Sequence, residues 1–97
     1  MLIELKKFGT TLVSRQSGKE AWAAFQPVLG PVSDAEDIIL DFAGVITFAP
    51  SWGDEFITPL QKRYKDRLIL KNTANPSVQA TLKLLENIGK IKFKLVE

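Results

Sequence analysis

The sequence contains no cysteine and no histidine. Without cysteine no disulfide can form, which excludes a secreted disulfide scaffold. Without histidine the commonest general base and the usual zinc ligand are missing, and most hydrolase and zinc chemistries go with them. No apolar run approaches the length of a membrane span, and Glu4, Lys6 and Lys7 interrupt the stretch from Met1 to Phe8. Neither a transmembrane helix nor a signal peptide is therefore expected. Gly44 and Gly53 stand alone, so no glycine-rich phosphate loop is formed. Basic residues are absent over a long stretch: between Glu20 and Gln61 there is no Lys or Arg, while Glu20, Asp34, Glu36, Asp37, Asp41, Asp54 and Glu55 are all acidic. The bases follow directly, as Lys62, Arg63, Lys65, Arg67 and Lys71. Such segregation fits an acidic face for a basic partner, and helix dipole matching explains part of it equally well.

What is present describes one small domain spanning residues 1–97. Of the 97 residues 45% are hydrophobic and 25% charged, with a net charge of +2. A chain of this length buries roughly two thirds of the surface its unfolded form exposes, enough for one core without staples. A soluble, cytoplasmic protein is expected.

Residues 2–14 give short apolar stretches broken at Phe8-Gly9-Thr10, the pattern of two strands joined by a tight turn. Ser17-Gly18-Lys19-Glu20 has the spacing of a capping box and predicts a helix start. Ala21, Trp22, Phe25, Val28 and Leu29 form its apolar stripe, and Gly30-Pro31 stops it. Residues 33–36 read as a loop. Ile38-Ile39-Leu40-Asp41-Phe42 is apolar on both faces, which predicts a central strand covered on both sides. A second capping pair, Ser51 and Asp54, opens a helix whose stripe is Trp52, Phe56, Leu60 and Tyr64, with acids in its first turn and bases in its last. Pro59 predicts a kink there, or a separate first turn. Leu68-Ile69-Leu70 is a short buried strand. Asn75-Pro76 caps a third helix with the stripe Val78, Leu82, Leu85 and Ile88, closed by Gly89. Alternation from Lys90 to Leu95 makes a last strand with one wet, cationic face. The order ββαβαβαβ is that of an α/β domain with a mostly parallel sheet of about five strands and three main helices.

In open α/β sheets ligands and partners meet the loops at the carboxyl ends of the strands, which here points to residues 43–54. Ser51, at a helix start, reads either as a phosphoacceptor stabilised by helix amides or as a plain N-cap; Asp54 and Glu55 would repel a phosphate. Asp41 could hold a cation, or accept backbone donors from the next loop and cap the turn at Gly44, but nothing nearby supplies further ligands at metal spacing. Trp52 reads as an exposed interface anchor or as core. Lysines 90, 92 and 94 with Phe93 give a weak nucleic-acid signal, and lysines on an edge strand also guard against aggregation. No base is paired with a nucleophile, so no enzyme and no cofactor are expected.

The run Leu40-Asp41-Phe42-Ala43-Gly44-Val45 followed by Ser51 at a helix start resembles the STAS domains, the module of sulfate transporters and anti-sigma-factor antagonists. Gly9-Thr10 with Leu12, Ser14-Arg15, Asp41-Phe42 with Gly44-Val45, and the Ser51 to Phe56 stretch containing Asp54-Glu55 look most like the bacterial STAS-like domains of unassigned function. The resemblance implies a non-enzymatic regulatory module that docks on a protein, typically a Ser/Thr kinase of the histidine-kinase ATPase fold that also sequesters a sigma factor. It places a phosphorylated Ser at Ser51, although the family's usual acid two residues earlier is Ala49 here, its preceding Ser is Pro50, and the small residues that follow are Trp52 and Gly53. The expected partner surface comprises Asp41, Gly44, Ser51, Trp52, Asp54 and Glu55. Neither nucleic acid nor membrane is expected as a partner, and a homodimer is left open. The alternative is a small-ligand or nucleotide-binding domain using the strand-end crevice, with Asp41 and Arg15 as polar anchors.

Overall fold

The computed structural model describes residues 1–30 and 35–96. The strands are β1 (Leu2–Glu4), β2 (Thr11–Leu12), β3 (Ile38–Asp41), β4 (Thr47–Phe48), β5 (Leu68–Lys71) and β6 (Lys94–Val96). The helices are α1 (Arg15–Leu29), α2 (Pro50–Tyr64) and α3 (Pro76–Gly89). β1, β3, β5 and β6 form one sheet in that order, β2 and β4 a second small one, and every pairing is parallel. The α/β architecture with three helices and a mostly parallel sheet is as the sequence predicts, with β4 as an additional short strand.

Each step across the main sheet carries one helix, and all three steps run in the same direction. Right-handed crossovers then place every helix on one face. Burial marks that face: Ile3, Ile38, Leu40, Leu68 and Leu70 are at most 1% exposed. On the other face Leu2 and Glu4 are exposed, and Ile39, Asp41, Ile69 and Lys71 are half-buried. The expectation that the central strand is covered on both sides is thus corrected, because a sheet wound one way has no helix left for its second face.

The predicted hairpin at residues 2–14 is also corrected. β1 pairs with β3 and β2 with β4. Between them Leu5–Phe8 forms a 3-10 turn, and Gly9, at φ 128°, swings the chain away from the main sheet. α1 starts three residues earlier than its predicted capping box, because Ser14 rather than Ser17 is the cap: the Ser14 hydroxyl accepts the Ser17 N–H at 3.0 Å. Of the predicted stripes, Val28 and Ile88 are exposed and Trp22 is half-buried. α2 runs unbroken through Pro59, so no separate first turn forms. Asn75 caps α3, accepting the N–H groups of Ser77 and Val78; Lys90 closes the helix in the left-handed conformation, and the last strand begins only at Lys94, since the Ile91 and Phe93 N–H groups donate back to the Glu86 carbonyl and carboxylate. Pro31 and the start of the predicted 33–36 loop lie outside the described residues.

The core between sheet and helices centres on aromatic rings. Trp52 stacks on Phe56 at 5.0 Å between centroids and meets Phe48 and Phe8 at 5.9 and 6.0 Å.

Candidate functional site

β3 delivers the chain to a turn at its carboxyl end. Asp41 Oδ1 accepts the Ala43 N–H at 2.9 Å and the Asn72 amide of the loop after β5 at 2.8 Å. Gly44 follows at φ 85°, a conformation that favours glycine. Asp41 therefore closes the turn and ties the ends of two neighbouring strands. The Asn72 donor, followed by the Ala43 N–H, holds its carboxyl below the usual carboxylate range against the opposing effect of burial. A depressed folded pKa means that the stability Asp41 contributes is present above its unfolded value, about 3.9, and is lost as pH falls through the lower folded one. Asn72 itself sits at φ 59°, so Asn72→Gly removes the donor while keeping a backbone that glycine tolerates. In that variant the Asp41 titration followed by NMR is expected to move back up toward the ordinary value, and a titration curve that stays put would contradict this account.

Beyond the turn, the loop is clamped from two sides. Ile46 and Thr47 donate their N–H groups to the Thr10 carbonyl at 2.8 and 3.1 Å. From α3, the Asn75 amide donates to the Val45 and Ile46 carbonyls at 3.1 and 3.0 Å. The Ser77 hydroxyl accepts the Phe48 N–H, and the buried Thr81 hydroxyl donates to the Phe48 carbonyl. The Ile46 side chain is nonetheless 64% exposed. A fixed backbone thus presents an apolar side chain to solvent.

α2 begins immediately after β4. Its N-cap is Ala49, with Pro50 at the first helical position and no capping side chain. The expected Ser51–Asp54 capping pair is thus corrected: Pro50 supplies the start, Ser51 lies one residue inside the helix, and Asp54 and Glu55 fall in the second turn. Ser51 is half-buried, and its hydroxyl makes no hydrogen bond among the described residues. Trp52 is 0% exposed, which corrects its reading as an exposed anchor. Its ring turns inward because it opens the same apolar stripe as Phe56, Leu60 and Tyr64, all fully buried. Asp54 and Glu55 are partly exposed and both accept from Arg15 Nη1, with the Asp54 bond at 3.1 Å. Asp54, and then Glu55, hold the guanidinium above its ordinary pKa.

Pro50, Ser51, Asp54 and Glu55 thus occupy the first two turns of α2, with Arg15 bonded to both acids, while Ile46 lies on the loop before β4 and Asp41 and Gly44 at the turn further back along the chain. A strand-end cavity of about 570 Å³ lies elsewhere, lined by Asn72, Thr73, Ala74, Gln79, Leu95 and Val96. Asp41 and Arg15 are not brought together there as ligand anchors. No group of three or more metal-ligating side chains occurs among the described residues, and no described helix is long and apolar enough to cross a membrane. The clamps Asn72, Ser77 and Thr81 had one sequence signal, a Thr on the core-facing stripe of α3.

Parallel strands under one layer of helices, with a capped turn after the central strand leading into a helix start, define a STAS-like α/β domain. Residues 25–78, more than half of the 97, match the family described as STAS-like domain of unknown function (DUF4325), and the chain belongs to that family. The matched span runs from α1 through the whole clamped loop and α2 to the first turn of α3. No curated protein and no solved structure matches the chain.

Proposed function

We propose that this domain is a non-enzymatic regulatory module of the anti-sigma-factor-antagonist kind, which docks on a protein partner through the loop and helix start around Ser51. The observation that carries the reading is Ile46: its backbone is held by Thr10 and Asn75 while its side chain stands 64% exposed. An apolar side chain on a fixed backbone binds at the cost of its own rotamer freedom alone, with no loop to be ordered, which favours it as an interface anchor. Arg15 partly neutralises Asp54 and Glu55, and the uncapped first turn of α2 offers its amides to a phosphate on Ser51.

The test mixes the purified protein with the products of the genes that neighbour its own, beginning with any kinase-like ATPase found among them. Ile46→Asp is expected to weaken binding about tenfold, equivalent to about 1.4 kcal/mol, with the circular dichroism spectrum unchanged, and ATP is expected to add one phosphate at Ser51. Binding that ignores both Ile46→Asp and Ser51→Asp would remove the docking reading, and the absence of a mass gain would remove phosphorylation alone. The strand-end cavity supports the second reading, a small-ligand domain, in which binding is indifferent to Ile46→Asp but sensitive to Gln79→Ala.

A further inference from the structure

All-parallel sheets occur almost only with both faces covered, yet here one face carries no helix among the described residues. Register places two rows of side chains on it, Leu2, Ile39, Ile69 and Lys94 in one and Glu4, Asp41, Lys71 and Val96 in the next. Leu2 is 52% and Val96 47% exposed. Charge is divided across the face, with both acids, Glu4 and Asp41, on β1 and β3 and both bases, Lys71 and Lys94, on β5 and β6.

We propose that this face is the contact between two copies of the chain, related by a two-fold axis parallel to the strands. Such an axis lays β1 over the second copy's β6 and β3 over its β5. Ile39 then faces Ile69, Asp41 faces Lys71, and Leu2 lies on the stem of Lys94 with Glu4 close by. Each contact occurs twice, as a two-fold interface demands. A two-fold axis running across the strands instead keeps each acidic half over an acidic half and sets Ile39 over Asp41, so the charge pattern selects the first arrangement. Asp41 retains capacity for the contact: both of its hydrogen bonds use Oδ1, and Oδ2 has none among the described residues. The face is narrow. β1 and β6 are about 14 Å apart, three steps of about 4.8 Å, so the area is below that of a permanent interface and the dimer dissociates on dilution. This contact is separate from the Ser51 corner, and either can fail without the other.

Sedimentation equilibrium of the full chain tests the proposal. Reversible dimers are expected. Leu2→Lys, which sets like charges opposite each other at an exposed position, is expected to raise the dissociation constant about tenfold, and adding Lys94→Glu to it restores the dimer. The cysteine-free sequence allows a second measurement that does not depend on Leu2→Lys folding well: Leu2→Cys combined with Lys94→Cys is expected to give covalent dimers with a short bis-maleimide, and Leu2→Cys alone none. A chain that stays monomeric up to about 1 mM overturns the proposal and leaves another molecule to cover the face. So does a dimer insensitive to Leu2→Lys, or one crosslinked through Leu2→Cys alone.

Discussion

Trp52→Ala is expected to cost about 3–5 kcal/mol of folding stability, the upper range for truncating a buried side chain. A domain of this size has about 5–15 kcal/mol in total, so the variant sits at the edge of unfolding. The indole is fully buried and touches rings from three segments: Phe8 after β1, Phe48 on β4 and Phe56 one turn further along α2. Removing it opens a cavity that these rings cannot fill without moving β4, and β4 is held in place by α3. Trp52→Phe behaves differently. The indole N–H is buried without a hydrogen-bond partner among the described residues, and an unsatisfied buried donor itself costs about 1–3 kcal/mol. Phenylalanine deletes that donor while keeping a ring for Phe56 to stack on, so the loss is expected to be well under half that of Trp52→Ala. Urea unfolding followed by far-ultraviolet circular dichroism measures both. Equal losses in the two variants would show that the ring contacts are not what Trp52 contributes.

Trp52 also shows how far the sequence reaches. Its spacing with Phe56, Leu60 and Tyr64 already puts it on a buried stripe; the interface reading arises only from its place beside Ser51. Periodicity states which face a residue occupies, while adjacency to a candidate site states nothing about direction. The start of α2 is misread for a related reason. Ser51 with Asp54 has capping-box spacing, but Pro50 is the stronger signal, since a proline fixes φ and lacks only an N–H that no first-turn residue needs. Capping-box spacing then assigns the acids to the first turn when they lie in the second, where Arg15 reaches them.

Strand identity is legible in β3 and β5 from their apolar runs, and the α/β order from their alternation with helices. Pairing is not. β1 and β2 are adjacent in sequence and lie in different sheets, because the partner of each comes from the far side of α1, and no local pattern encodes that. The bare face of the sheet is hidden by the same limit. Ile39 and Ile69 are apolar on a side that none of the described helices covers, and composition alone cannot distinguish a face covered by the protein's own helices from one left open. The clamps on the candidate loop follow suit: the sequence identifies Asn75 as a cap for α3, but its second role, holding the Val45 and Ile46 carbonyls, depends on α3 lying against that loop.

Gly18→Ala is expected to destabilise the domain by about 1–3 kcal/mol, against the sign that helix propensity gives. In an exposed helix interior, replacing Gly by Ala gains about 1 kcal/mol. Gly18 lies in the first turns of α1, where a Cβ would come within 2.8 Å of the Trp52 carbonyl oxygen and 3.1 Å of the Trp52 Cα. Both are backbone atoms and cannot rotate away, so one helix must shift. α2 has little room to retreat, since Gly53, on its opposite side, is packed so closely that a Cβ there would lie 3.0 Å from Leu85 on α3 and 3.1 Å from Phe48. The N-terminal half of α2 is thus wedged between α1 and α3, with a glycine at each contact: Gly18 of α1 against Trp52, and Gly53 of α2 against Leu85. Pushing α1 outward would also lift Arg15 from Asp54 and Glu55 and change the charge displayed beside Ser51. Gly18→Ala is therefore expected to lower the unfolding midpoint in urea and, in the folded protein, to weaken partner binding at the Ser51 corner, with Gly18→Leu worse on both counts. A more stable Gly18→Ala variant would mean that α1 and α2 do not approach as closely as the Gly18–Trp52 contact requires.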